Sequence, residues 1–163
     1  MYAISVNAYI WKSPLRHYID KTLSKYHFKL LSIPWNQFEL LDNDSDHFTW
    51  TGYKNFCKSL KMVVDNNIDK DSSLYFLSDS TIDYWNYKDN GAYNGKANKY
   101  LKKILNRSNI KIDALCGSGF YSFNKRVNNA EDYDNIFIIG GWNDNSYQSV
   151  KKYIKQISSK RLS

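Results

Sequence analysis

Two kinds of hydrophobic pattern alternate along the chain. Short runs that are apolar almost throughout occur at residues 3–11 (AISVNAYIW), 27–33 (HFKLLSI), 73–79 (SLYFLSD), 110–116 (IKIDALC) and 135–141 (NIFIIGG). Between them, apolar residues return every three or four positions, as on one face of a helix. Tyr53, Phe56, Cys57, Leu60, Val63 and Val64 show this spacing. So do Ala97, Leu101, Ile104 and Leu105, and later Val150, Ile154 and Ile157. Ser13-Pro14 reads as an N-cap and N1 pair opening a helix that runs to about Lys25. Further helices are expected over about 94–106 and 146–159, and residues 117–134 are expected to form an irregular connection.

Brief strands that are apolar on both faces suit a parallel sheet covered by helices on each side. The alternation predicts one domain over residues 1–163, a three-layer α/β/α fold with a five-stranded parallel sheet. Ligands of such sheets gather outside the carboxyl ends of the strands, so the residues just beyond each strand matter. After 27–33 comes the loop LLDNDSDHF with Asp44 and His47. After 73–79 comes Ser80, after 110–116 comes Gly117-Ser118-Gly119, and after the last strand come Gly140, Gly141, Trp142, Asn143 and Asp144.

Composition narrows the classes. Aromatic residues make up 17% of the chain and no run approaches about 18 apolar residues, which argues for a globular domain without a membrane-spanning helix. The N-terminal residues lack the basic lead of a secretory signal, so the cytoplasm is the expected location. The net charge of +7 admits nucleic acid as a partner. Yet Lys99, Lys102, Lys103, Lys151, Lys152 and Lys155 interleave with the apolar helix positions and are explained as wet helix faces. Cys57 and Cys116 have no metal or disulfide spacing and read as free thiols.

Asp42, Asp44 and Asp46 open like a calcium loop, but His47 stands where the turn needs glycine and Tyr53 where the bidentate glutamate belongs. No metal is therefore expected, and an acidic helix-capping turn is the plain alternative. Read as a pair, Asp44 can accept a hydrogen bond from Nδ1 of His47 and leave Nε2 free to take a proton. Ser80, at a strand end, is the natural nucleophile. Gly119 and Asn143, with the Ser80 N–H, could supply oxyanion donors.

These residues resemble the SGNH, or GDSL-type, hydrolase family. SLYFLSDSTIDYW resembles its serine block, with Ser78 where glycine usually stands. CGSGF resembles the glycine block, IFIIGGWND the G-x-N-D block, and DSDHFTWTGYKNF the D-x-x-H block, with Phe48 in place of the common proline. The resemblance implies a flavodoxin-like fold and a catalytic Ser80, His47 and Asp44. It implies oxyanion donors from Ser80, Gly119 (or Gly117) and Asn143, and no cofactor. The order departs from the family: the Asp/His block comes first instead of last. A circular permutation is expected, with 64–73 as the new bridge and with Met1 and the last helix on the same side of the sheet. A domain-swapped dimer is the alternative route to a complete site, and the oligomeric state is left open by the sequence.

The implied activity is hydrolysis of small O-acyl esters, O-acetyl among them, with acylated carbohydrate as one substrate class. Trp85 and Trp142 are the candidates for substrate contact. A catalytically inactive module of the same fold, binding carbohydrate or protein, is the reading from another class. A basic nucleic-acid-binding domain is a third.

Overall fold

The computed structural model describes the backbone of residues 1–7, 14–34, 38–40, 47–83, 85–86, 91–92, 94–141 and 143–160, and the side chains of 1–2, 17–33, 38–40, 47–83, 95–141 and 143–160. It is a mixed α/β domain in which helices flank a parallel sheet. In chain order the elements are β1 (Tyr2–Asn7), α1 (Pro14–Lys25), β2 (Lys29–Pro34), α2 (Trp50–Asn67), β3 (Leu74–Ser78), β4 (Trp85–Asn86), β5 (Gly91–Ala92), α3 (Asn94–Leu105), β6 (Ile110–Ala114), α4 (Phe120–Arg126), β7 (Asn135–Ile139) and α5 (Tyr147–Ser159). Five strands form one open sheet in the order β2-β1-β7-β3-β6, all parallel. β4 and β5 pair separately as a short antiparallel hairpin.

Burial explains why the strands read as continuous apolar runs. All five residues of β3 are buried, and they alternate between two cores. Leu74 and Phe76 join one core with Phe56, Cys57, Leu60, Val64, Ala97, Leu101 and Leu105 of α2 and α3. Tyr75 and Leu77 join the other with Ile19, Leu23, Phe123, Val150, Ile154 and Ile157 of α1, α4 and α5. A strand between two helical layers has no wet face, so its two-residue period is hidden in the sequence.

The helices sort by the direction in which the chain crosses the sheet. The steps β2 to β3 and β3 to β6 run one way and carry α2 and α3 on one face. The steps β1 to β2 and β6 to β7 run the other way and carry α1 and α4 on the opposite face. Crossovers of a single hand require this arrangement.

Several expectations need correction. Residues 117–134 are not irregular: α4 is followed by one 3-10 turn, Val127–Ala130. Phe120, Phe123, Val127 and Ala130 fall at spacings of three and four and are all buried, a helical stripe too short to stand out in the sequence. Residues 8–13 lie outside the described residues, so the expected extension of the first strand to Trp11 and the Ser13 cap go undescribed. β2 runs one residue beyond the expected 27–33, through Pro34, at the end of an edge strand, where a missing N–H is tolerated.

The expected bridge, 64–73, begins as the last turn of α2, so the connection to β3 is only 68–73. Arg107 pins it, donating to Ile68 O at 3.1 Å and to the Asp65 carboxylate at 3.2 Å. Met1 packs against the core that holds α5, and Ser158 of α5 donates to Tyr26 O at 3.0 Å, beside the start of β2.

Candidate active site

The residue after the acidic loop is held by the start of α2. Phe48 forms an antiparallel bridge with Leu40, and its ring is buried, edge-on to Phe38 and stacked on Phe56. Thr49 caps α2: its Oγ1 accepts the Gly52 N–H at 3.0 Å and donates to the Glu39 carboxylate at 2.6 Å. Gly52 is required here, because a Cβ would stand 2.0 Å from Glu39 O. His47, the neighbour of the anchored Phe48, is therefore fixed at the carboxyl edge of the sheet while its ring stays partly exposed.

The serine turn grows out of β3. Ser78, fully buried, donates through Oγ to Ile139 O at 2.6 Å and so ties the ends of the adjacent strands β3 and β7. Asp79 is also fully buried, and its Oδ1 accepts the Thr81 N–H at 2.9 Å. Its carbonyl accepts the N–H groups of Ile82 and Asp83 at 3.3 and 3.0 Å. The chain is bent into one tight turn, with Ser80 on its partly exposed side. Nε2 of His47 lies 3.2 Å from Oγ of Ser80, across 33 residues of sequence. That is within reach for transfer of the hydroxyl proton to the imidazole.

Gly140 makes room for this turn. It sits at φ +149°, and a Cβ there would meet Asp79 Oδ2 at 2.5 Å and Phe123 at 3.0 Å. Asp83 closes the far end: its Oδ2 accepts the Cys116 N–H at 3.0 Å. Burial pushes the Asp83 carboxyl up, while that bond and the nearby Arg126 pull it down.

The glycine tip divides its work between two residues. Gly117, at φ +75°, is the third residue of a turn closed by Ser118 N–H to Leu115 O at 3.2 Å, the place where a type II turn needs a left-handed conformation. Gly119 precedes α4 and faces Asp144, where a Cβ would be 2.8 Å from the carboxylate. Asp144 takes the Phe120 N–H on both oxygens at 3.1 Å. Burial pushes its carboxyl up to about 6, helped by the charge of Asp79 and opposed by the Phe120 bond. Asn143 donates through Nδ2 to Ser118 O at 2.9 Å. Gly119 and Asn143 thus come together at one place.

Arg126 braces the whole edge from beneath. It donates to Asp113 O at 2.9 Å, Ser118 Oγ at 3.0 Å, Ser122 Oγ at 3.2 Å and Ser78 O at 3.3 Å, and it pairs with the Asp113 carboxylate at 2.5 Å. The guanidinium fork can hold two strand ends and a loop at once, which a lysine could not. The fully buried Tyr53 links α2 to the serine turn through its hydroxyl, 3.3 Å from both Ile82 O and Ala97 O.

The structure brings together His47 and Ser80, and separately Gly119 and Asn143. Asp44 and Trp142 lie outside the described residues, and of Trp85 only the backbone pairing with Ala92 is described. Cys57 is a buried free thiol pushed up to about 12 by desolvation, and Cys116 is a partly buried one. Among the described residues no cluster of three metal-ligating side chains occurs, and no helix is long and apolar enough to cross a membrane.

Gly52, Tyr53, Arg126, Gly140 and Asp144 were not expected as site residues. Gly140 and Asp144 stood within the IFIIGGWND block, whereas Arg126 lay in the segment expected to be irregular and Tyr53 looked like any core position. Comparison of the chain with family models, curated proteins and solved structures gives no match.

Proposed function

We propose that the chain is a serine ester hydrolase of SGNH type whose sequence blocks are circularly permuted. The observation that carries this reading is the 3.2 Å approach of His47 Nε2 to Ser80 Oγ, two residues picked out by separate sequence blocks. The sheet order adds support. Counted from β3, the strand before the serine, the chain visits β3, β6, β7, β1 and β2. Their spatial order is then second, first, third, fourth, fifth, the order of flavodoxin-like sheets. The switch point falls between β3 and β7, the strands that lead into Ser80 and Asn143.

In this mechanism His47 takes the Ser80 proton as Oγ attacks the ester carbonyl carbon. The carbonyl electrons pass to oxygen, where the N–H groups of Ser80 and Gly119 and an amide hydrogen of Asn143 receive the charge. An amide nitrogen carries two donors, so the Asn143 bond to Ser118 O leaves one for this task. Collapse breaks the carbon–oxygen bond, and His47 returns the proton to the leaving alcohol. Water, deprotonated by His47, then releases the acid and restores Ser80. Asp44 would orient His47 through Nδ1. The reaction consumes one water per ester and needs no cofactor.

Short-chain esters provide the test. Hydrolysis by the native chain is expected to exceed that of Ser80→Ala by orders of magnitude, with Asn143→Ala losing about 10²–10³-fold. A native rate no greater than that of Ser80→Ala overturns the reading.

A further inference from the structure

The two edges of the sheet are not alike. On β2 the N–H of Lys29 bonds to Met1 O, so the odd-numbered residues face β1 and the even-numbered ones face outward. The outward row ends on Pro34, which has no N–H to offer. On β6 the odd-numbered residues again bond within the sheet, since Asn109 O accepts the Leu74 N–H and Leu115 N–H donates to Ser78 O. The N–H and C=O groups of Ile110, Ile112 and Ala114 therefore point outward, from a strand without proline. Among the described residues no strand pairs with that side of β6. An open row of this kind is a template for another strand.

We propose that β6 pairs antiparallel with β6 of a second copy of the chain, across a two-fold axis at Ile112, and joins two sheets into one. Charge selects this register. Outward groups meet only where even-numbered residues oppose even-numbered ones, so the pairing can shift only in steps of two residues. With Ile112 opposite itself, Lys111 of each copy stands across from Asp113 of the other. A step one way sets Lys111 against Lys111, and a step the other way sets Asp113 against Asp113. Like charges directly opposite are unfavourable. A lysine on an edge commonly blunts it; Lys111 does so in both neighbouring registers and favours this one. Lys111 is exposed and Asp113 partly so. Asp113 already accepts from Arg126 and from the Tyr75 hydroxyl, and each carboxylate oxygen keeps a lone pair for the incoming ammonium. On the other face Ile112 meets Ile112 and Ile110 meets Ala114, extending the core that α2 and α3 cover. Leu115, 53% exposed just past the strand, comes to lie opposite Asn109 of the copy. The paired strands run in opposite directions, so the two Ser80–His47 edges face opposite ways.

Sedimentation equilibrium and amide hydrogen exchange on the full-length chain test this together. The expected result is a monomer–dimer equilibrium in which the Ile110, Ile112 and Ala114 amides exchange more slowly as concentration rises, while those of β2 do not. Lys111→Glu puts a carboxylate opposite each Asp113 and is expected to weaken the dimer about tenfold or more. Ile112→Pro removes an outward N–H without touching a bond to β3, and is expected to abolish the dimer. Because Lys111 is exposed, the dilute Lys111→Glu chain should melt at the native temperature, which separates lost pairing from lost folding. A native chain that stays monomeric at millimolar concentration overturns the proposal. So does a dimer whose strength Lys111→Glu leaves unchanged. Edge amides already protected in the monomer also overturn it, because another segment of the same chain would then cover β6.

Discussion

The hydroxyl of Tyr53 lies 3.3 Å from the carbonyl of Ile82 and so joins the helix that comes after His47 to the turn that carries Ser80. The same hydroxyl is 3.3 Å from Ala97 O, and its one hydrogen is shared between the two. Burial raises the phenol well above its ordinary range, so it remains a donor across the usable pH range. Tyr53→Phe keeps the ring and removes the bond. The expected loss is about 0.5–1.5 kcal/mol of stability, read as a lower urea midpoint with unchanged slope. Because the serine turn loses a tether to α2, acylation of Ser80 is also expected to slow severalfold. Unfolding equilibria and acylation rates on the same samples check both parts.

Gly140 is a second structural dependency. Alanine there would place a Cβ 2.5 Å from the buried Asp79 carboxylate at φ +149°. Gly140→Ala is expected to cost about 1–3 kcal/mol for the backbone conformation alone, with the steric clash adding to it. Thermal unfolding measures the loss; a variant as stable as the native chain contradicts the close packing of the serine and asparagine tips.

The expectation for Ser78 runs against the family pattern. Glycine is usual at this position, but here the serine hydroxyl bonds to Ile139 O at 2.6 Å inside the core. Ser78→Gly removes that bond and adds backbone freedom to a strand, so a loss of about 1–2 kcal/mol is expected. Urea unfolding of the variant reads it directly. Ser80 should still acylate, since the Asp79–Asp83 turn keeps its own bonds.

Asp144 gives a pH signature. Its carboxyl is raised to about 6 in the folded chain, from 3.8, chiefly by burial. The folded state therefore binds the proton more tightly than the unfolded state. This group's contribution favours folding below about pH 4 and turns unfavourable as pH rises toward 6, after which it is constant. Asp144→Asn keeps an oxygen for the Phe120 N–H without the charge. The melting-temperature difference, variant minus native, is expected to grow from pH 4 to pH 6 and then level off. A difference independent of pH contradicts the burial of this carboxylate.

How much of this was legible before folding differs by element. The strands were readable because Leu74 to Leu77 and Ile136 to Ile139 are apolar on both faces, and α2, α3 and α5 were readable from long stripes such as Phe56, Leu60 and Val64. α4 was not, because seven residues with two buried rings carry too little periodicity. Ser80 and His47 were legible as short blocks at strand ends, and their separation of 33 residues hid nothing once the ends were compared. The supports were hidden for physical reasons. Arg126 acts by reaching five oxygens from four places in the chain, which no local pattern records. Gly52 and Gly140 matter for what would collide with a side chain, and that depends on Glu39 and Asp79, whose proximity only the fold creates. The split between Gly117 in the turn and Gly119 against Asp144 likewise emerges only when both loops are in place.

The central claim is that His47 activates Ser80. Intact-mass detection of the adduct with a fluorophosphonate tests it most directly, on the native chain, Ser80→Ala and His47→Ala. The expected result is a single adduct on the native chain, mapped to Ser80, absent in Ser80→Ala and slowed at least a hundredfold in His47→Ala. A folded native chain that gives no adduct, or labelling that persists unchanged in His47→Ala, contradicts it.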